Sequence, residues 1–395
     1  MTRTVLISGA SVAGPALAYW LGRYGFRPTV VERAPALRDG GQAVDFRGDT
    51  HLSVLSRMGV LPRLRQLRTG GSPIRFVDES GRVLLHLPAE FAGGDVEVPR
   101  GDLVRVLHEH SLPTTEYVFG DSITSLDETA SGVRVGFRHA PAREFDLVIG
   151  ADGLHSQVRR LAFGPERDYV GHLGYYAATW AMPNDLRVAE GSVGFNAPGR
   201  FASVGVDHRD PDRAGAFVVF AAPRLDYDRH DLGQQKKLVE TAFSGLGWEV
   251  PRLLRSLPEA PELYFDSISR VDVPCWSTGR IGLVGDAACG ATIGGMGTGT
   301  AVVAAYVLAG ELARAGDDYR TGFARYEATL RDYAQGCQKG GDRTGKFLAP
   351  ATALGLRVRN SLLSKDFFLN WMLREGQKVT TMTVPDYSAE LARAA

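Results

Sequence analysis

The chain has 395 residues, 44% hydrophobic and 23% charged, the balance of an ordinary globular protein with room for two domains or more. Lys plus Arg and Asp plus Glu both number 45, so no excess charge points to nucleic acid or to an anionic membrane. Three cysteines (Cys275, Cys289, Cys337) without C-x-x-C spacing argue against a disulfide framework or a structural zinc site. No apolar run reaches the roughly 18 residues of a membrane span. Gly and Ser interrupt the opening MTRTVLISGASVAG before a signal-peptide core can form, so a cytoplasmic setting is expected. The 47 glycines are well above the roughly 7% average and imply many tight turns and close backbone approaches.

Residues 5–8 read as a short buried strand, followed by a Gly-rich turn, an apolar helix over 13–24 and a second buried strand over 28–32. Such a βαβ unit requires a right-handed crossover and a parallel sheet. Residues 51–58 read as a helix closed by Gly59. Between 74 and 98, short alternating runs (IRFVD, RVLLHL, DVEV) predict antiparallel hairpins. Helical spacing returns over 101–110, and strands follow at 116–119, 123–127, 133–137 and 145–149.

Residues 170–271 carry aromatic-rich runs (GYYAATWAM, GSVGFNA, RFASVGVD, AGAFVVFAA) of antiparallel character, with helices over 234–244 and 249–256. A buried strand is expected over 280–284 and a helix from near Gly299. Tyr319, Phe323, Tyr326, Leu330 and Tyr333 mark one buried stripe of a later helix. The expected fold class is α/β. A Rossmann-like dinucleotide-binding domain (1–72, 97–168 and 272–345) is interrupted by a mostly antiparallel sheet domain (73–96 and 169–271) and followed by a helical segment (346–395).

Three glycine-centred loops carry the chemistry. In Gly9-Ala10-Ser11-Val12-Ala13-Gly14, Gly9 permits the tight turn and Gly14 the close helix–strand packing, while the amides opening the helix suit a pyrophosphate. Ser11 stands where G-x-G-x-x-G has its middle Gly. Glu32, ending the second strand, is placed to accept ribose hydroxyls; a bare structural turn is the alternative.

The second loop is Gly150-Ala151-Asp152-Gly153, at the end of a buried strand and before a helix. Spacing alone leaves Asp152 equally a ligand residue or a helix cap. The third follows the strand in Gly279-Arg280-Ile281-Gly282-Leu283-Val284-Gly285-Asp286. Asp286 sits at the sheet edge where α/β ligands lie. Gly294, Gly295, Gly297 and Gly299 then precede an apolar helix whose positive end would face a flat ligand.

In this order the three motifs resemble the para-hydroxybenzoate hydroxylase family of FAD-dependent monooxygenases, over roughly residues 1–330. The resemblance implies that Glu32 binds the adenosine ribose and that Asp286 contacts the ribityl and pyrophosphate region. Asp152 with Gly153 would serve both FAD and NAD(P)H. It also implies that Arg100 reaches the flavin side, with a surface Arg as the alternative, and that Arg47 lines the flavin. Arg33, beside Glu32, is placed either to add to adenosine binding or to form an exposed ion pair. Gly297, Thr298 and Gly299 would present the helix end to the flavin. The chain departs from the family in the loop after Asp286, which lacks the usual aromatic or His followed by Pro; Thr292 stands opposite that Pro. The thioredoxin-like domain of longer aromatic-polyketide hydroxylases is not expected, since the chain stops at 395.

The chemistry implied by the resemblance is reduction of FAD by NAD(P)H, addition of O2 to give a C4a-hydroperoxide, and transfer of one oxygen atom to an aromatic or polycyclic small molecule. That transfer could be hydroxylation, epoxidation or a Baeyer–Villiger insertion. Tyr175, Tyr176, Trp180, Phe195, Phe201, Phe217 and Phe220 are available to line the substrate cavity, though alternation turns only about half inward; of these Tyr176, Trp180, Phe195, Phe201 and Phe220, with Thr292, are the expected lining. No catalytic acid or base can be named: His208 is a candidate, with a solvated turn histidine as its alternative.

A halogenase would need a Trp-x-Trp-x-Ile-Pro motif that Trp180 does not have. A non-oxygenating flavin dehydrogenase or reductase, and a catalytically silent flavin-containing binding protein, remain as competing readings. No metal is implied, and either a monomer or a homodimer fits.

Overall fold

The computed structural model describes residues 2–38, 43–69, 71–294, 296–379, 381–387 and 389. β1 (Thr4–Ser8), α1 (Ala13–Arg23) and β2 (Arg27–Glu32) form the expected βαβ unit. β3 (Ala43–Phe46), α2 (Gly48–Met58) and α3 (Leu61–Gln66) follow. The αL conformation of Gly59 (φ 84°) ends α2. β4 (Ile74–Val77) and β5 (Val83–Leu87) leave the first domain, and α4 (Ala89–Gly93) and β6 (Val96–Pro99) return to it.

α5 (Arg100–Ser111), β7 (Glu116–Phe119), β8 (Ile123–Glu128), β9 (Val133–Phe137), β10 (Arg143–Phe145), β11 (Leu147–Gly150) and α6 (Gln157–Ala162) complete its first half. The sheet-forming insertion comprises β12 (Val170–Pro183), β13 (Ser192–Ala197), β14 (Arg200–Val206), β15 (Arg213–Ala221), α7 (Leu232–Phe243), α8 (Val250–Ser256) and β16 (Tyr264–Val271). β17 (Ser277–Thr278), β18 (Ile281–Leu283), α9 (Asp286–Cys289), α10 (Gly297–Ala315) and α11 (Tyr319–Gly341) rebuild the first domain, and α12 (Thr344–Leu348), α13 (Ala353–Leu363) and α14 (Asp366–Val379) end the chain.

The first sheet has the order β17-β18-β11-β1-β2-β7, parallel from β18 to β7. Its central strands have buried side chains on both faces, which is why they read as unbroken apolar runs. α10 lies against α1, α2 and α11, and buries every residue from Gly299 to Leu312. That complete burial explains its all-round apolar sequence. The predicted stripe of α11 is buried throughout, at Tyr319, Phe323, Tyr326, Leu330 and Tyr333.

The second sheet has the order β16-β12-β15-β14-β13-β4-β5. The expected antiparallel hairpin β4–β5 is present, but β4 joins the larger sheet by pairing in parallel with β13. α7 and α8 cover one face of this sheet, and α12–α14 cover part of the other. Residues 381–387 run back over the first domain, where Tyr387, fully buried, donates to Glu311 Oε1 at 2.8 Å. No helix among the described residues is long and apolar enough to cross a membrane.

Candidate active site

The three glycine loops, far apart in sequence, meet at the carboxyl ends of β1, β11 and β18. Gly9 has φ +106°, and a Cβ there would lie 2.6 Å from the Ala151 carbonyl oxygen. A Cβ at Gly14 would lie 1.9 Å from the Gly9 carbonyl oxygen, so only glycine lets α1 start against this turn. The third loop closes on the first at Gly285, whose Cβ would sit 3.2 Å from that of Ala13. Backbone fit at the first two contacts requires residues without side chains, and the positive φ of Gly285 (+63°) favours glycine at the third, which is why the motifs are legible as glycines.

Polar groups reinforce the convergence. Glu32 accepts the Ala10 N–H at 2.8 Å and the Ala34 N–H at 2.9 Å, holding the turn beside the end of β2. Arg100, at the first residue of α5, donates to Ser11 Oγ at 2.9 Å. A cation is thus brought to the opening of α1, where no side chain caps the helix and its first amides point outward. Arg33 is exposed next to Glu32; partial desolvation and then Arg38 and Arg229 lower its guanidinium from the usual value, opposed by Glu32 and Asp152.

Asp152 proves to be a cap as well as a loop residue. It accepts from Ser8 Oγ (3.2 Å), from the Gln157 N–H (2.9 Å), from the Val158 N–H (3.1 Å) and from Ser156 Oγ, thereby tying β1 to the start of α6. Burial raises its carboxyl, and these hydrogen bonds oppose the rise. Gly153 has φ +78° with nothing within 4 Å of an added Cβ, so the space above the loop is open.

Asp286 opens α9 and faces the start of α10: its Oδ1 lies 3.0 Å from where a Gly297 Cβ would be. Burial raises its carboxyl, and the Arg100 charge opposes this. Arg100 therefore stands between the first and third loops. Thr298 is half-buried and Gly299 buried in the first turn of α10, which has no side-chain cap. Arg47, between β3 and α2, pairs with Asp45 and donates to the Phe91 carbonyl at 3.2 Å. This donor set suits a dinucleotide: uncapped helix amides and a cation for a pyrophosphate, a carboxylate for a ribose, and side-chain-free backbone beside a flat ring.

Four of the aromatics expected to line the substrate cavity lie on the face of the second sheet that α7 and α8 cover. Tyr176, Trp180, Phe195 and Phe220 point to the far face of the second sheet, in a core shared with Val239 and Phe243 of α7 and Val250 and Leu253 of α8. The reason is the two-residue period of a strand: the neighbours Tyr175, Phe201, Phe217 and Val219 take the near face. Phe201 thus shares this face with Ile293 from the loop after Asp286. Thr292 is engaged by β16: its Oγ1 accepts the Ser269 N–H at 3.0 Å and donates to the Ser267 and Ser269 carbonyls, each at 3.1 Å. Thr292→Val is expected to lower stability by about 1–3 kcal/mol by leaving the Ser269 N–H unsatisfied, measured by thermal melting. His208 is exposed in the β14–β15 turn with Asp207 3.7 Å away, the solvated alternative.

Three residues missed by motif reading join the site, His155 from the loop before α6 and Tyr264 and Asp266 from β16 of the insertion. His155, beside Asp152, sits between Glu166 and Asp266, with ring-to-carboxylate distances of 3.0 Å on both sides. Burial alone would lower its pKa, but the two carboxylates outweigh it and raise it to about 9. Tyr264 is surrounded by protein without being covered. It keeps 43% of its surface open, and its phenol is raised by desolvation and then by Asp266, with Arg100 opposing and Asp286 adding. Those charged neighbours place Tyr264, at the start of β16, close to Arg100 and to Asp286 of the third loop. His155 carried a signal in its place just after the second loop; Asp266 and Tyr264 carried none, because only the folded register of β16 brings them here. Two shallow cavities, about 200 and 410 Å³, lie elsewhere; the second touches Gly279 before β18, but neither includes Gly9, Gly14, Asp152 or Asp286.

The comparisons agree with this geometry. Residues 2–182 match the model of an FAD binding domain. A flavin-dependent monooxygenase of Legionella longbeachae is 38% identical over 343 residues, covering 85% of this chain and 87% of the relative. The chain belongs to the flavin-dependent monooxygenases. FAD is accordingly the monooxygenase's cofactor, and its fold is that of this family. An uncharacterized protein of Mycobacterium tuberculosis is 44% identical over 340 residues, 84% of this chain and 91% of that one. Among solved structures, the tetracycline destructase Tet(55) superposes with a TM-score of 0.85 at 34% identity, over 98% of the monooxygenase and 99% of the destructase. Tet(51) gives 0.86 at 31% identity, over 98% and 100%.

Proposed function

We propose that this monooxygenase uses NAD(P)H and O2 to place one oxygen atom on a polycyclic aromatic molecule of the tetracycline kind. The observation that carries the reading is the likeness to Tet(51) and Tet(55) along nearly the whole chain, insertion and C-terminal helices included. The near face of the second sheet supports it. Next to Tyr264 the paired positions are Thr179, Phe217, Gly215, Ser203 and Gly205, and Gly215 is exposed with nothing within 4 Å of an added Cβ. Such a floor is flat and nearly uncharged, suited to a fused ring system and not to a small carboxylate.

In this reading residues 1–72, 97–168 and 272–345 hold FAD, and 73–96 with 169–271 hold the substrate. Reduced FAD supplies the oxygen-activating chemistry. The α1 amides with Arg100 and Ser11 bind its pyrophosphate, Glu32 an adenosine ribose hydroxyl, and Asp286 the ribityl side. The first turn of α10 (Gly297, Thr298, Gly299) directs positive potential at the flavin edge, a preorganised dipole of the kind worth a few kcal/mol. Asp152, Gly153 and the neighbouring Arg33 and Arg229 border the approach for NAD(P)H. No side chain is required to act on the substrate as acid or base, since an ionisable phenol or enol activates its own ring.

The test is NADPH oxidation by the FAD-loaded protein under 18O2, with tetracycline against 4-hydroxybenzoate. Ligand-stimulated oxidation with one labelled atom in the tetracycline product is expected. NADPH oxidation without label in product would establish the dehydrogenase reading instead, and ligand binding without any stimulated oxidation would establish the silent binding protein.

A further inference from the structure

Between the Arg47 turn and the first turn of α10 lies a histidine that belongs to none of the glycine motifs. His51, in α2, is 1% exposed. Its Nδ1 accepts the Arg47 backbone N–H at 3.0 Å. A neutral ring that accepts at Nδ1 carries its proton on Nε2, so Nε2 donates to Tyr333 Oη, 2.7 Å away on α11. The ring stands edge-on to Phe46, with centroids 6.2 Å apart. It also presses on α10: a Cβ at Gly299 would lie 2.2 Å from His51 Cε1. One imidazole therefore contacts the Arg47 turn by a hydrogen bond, α11 by another, and the first turn of α10 by direct packing. Two of these three segments are ones the cofactor reading assigns to the flavin.

We propose that His51 is a positioning residue for the flavin, its neutral ring fixing the Arg47 turn against the Gly297–Gly299 turn so that both present to the ring system as one rigid unit. The inference rests on the assignment of those two turns to the cofactor. The three atoms nearest to a Gly299 Cβ all belong to the His51 ring, so the space that Cβ would take is the space of the imidazole. Nor is Arg47 held by its guanidinium alone. Its side chain engages Asp45 and Phe91, the next N–H, of Gly48, donates to Asp95 Oδ2 at 2.6 Å, and His51 takes the remaining amide of the turn.

The test uses apoprotein of full length, titrated with FAD by flavin fluorescence, and the midpoint potential of the bound flavin. His51→Leu fills the space without an acceptor, whereas the amide oxygen of His51→Asn can take the Arg47 N–H in place of Nδ1. Removing the acceptor leaves the Arg47 N–H buried without a partner, a loss worth about tenfold in an equilibrium constant. His51→Leu is expected to raise the Kd for FAD by about tenfold and to shift the potential. His51→Asn should stay within about threefold of wild type. Equal Kd and potential in the two variants would overturn the positioning role, whatever their melting temperatures. Arg47→Ala, run alongside, separates the premises. Unchanged FAD binding there would overturn the cofactor assignment and the proposal with it, and weakened binding there beside an unaffected His51→Leu would overturn the positioning role alone.

Discussion

Gly14→Ala is expected to yield protein that keeps little or no FAD and melts well below wild type. The added methyl carbon would sit 1.9 Å from the Gly9 carbonyl oxygen and 3.5 Å from Ile7 Cγ2. The first of these neighbours is backbone, not a flexible side chain that could turn away. Relief requires the whole of α1 to back off β1, yet α1 is buried along most of its length, from Ala13 to Leu21, against α5 and α10. Overpacking in a close-packed core costs typically 1–3 kcal/mol, and a clash against fixed backbone belongs at or above the top of that range.

The functional loss should exceed the stability loss. The α1 amides, Ser11 with its Arg100 bond, and the Ala13 contact to Gly285 all move with the helix. Gly215→Ala is the control: it adds the same methyl to open space at an exposed position, and full FAD occupancy is expected. Visible absorbance of the purified proteins and a thermal melt decide it. Wild-type flavin content in Gly14→Ala would mean that the first loop does not hold the cofactor.

What could be read in advance divides along a physical line. Contacts that demand the absence of a side chain leave glycine in the sequence, so the convergence of the loops at Gly9 and Gly14 is legible there. The strand that feeds each loop is buried on both faces and reads as an apolar run. The insertion is different. Along β12 the sequence YYAATWAM places large residues on both faces, and which face meets the flavin depends on where α7, α8 and α12–α14 settle. Tyr176 and Trp180 could not be told from Tyr175 and Thr179 without that layer. The parallel pairing of β4 with β13 joins segments more than a hundred residues apart, and no local pattern encodes it. Asp266 and Tyr264 are similarly invisible, their role arising from the register of β16 against β12. The bonds of the Thr292 hydroxyl to β16 likewise depend on that register and leave no local mark in the sequence.

Two histidines should set the pH range over which the fold is stable, from opposite sides. Burial drops His51 to about 4, with Asp45 and Asp95 opposing and the Arg47 charge assisting the fall; Tyr333 on α11 is the remaining polar contact. Because the folded protein leaves this ring neutral while the unfolded chain protonates it near 6.5, the unfolded state binds the extra proton between these values. Stability is then full above pH 6.5 and falls as pH drops toward 4, by about 3 kcal/mol in all at 1.36 kcal/mol per pH unit.

His155 works the other way. Its folded pKa of about 9 means the native state holds the proton that the unfolded chain releases near 6.5. Its contribution is complete below pH 6.5 and lost as pH rises through 9. With its side chain 30% exposed, screening reduces that contribution to less than about 3 kcal/mol. Denaturant midpoints measured across pH 4 to 10 should therefore peak near neutrality. His51→Asn should flatten the acid limb and leave the alkaline one, and His155→Gln should do the reverse. An acid limb unchanged in His51→Asn would show that another group carries it, since Asn cannot titrate in this range.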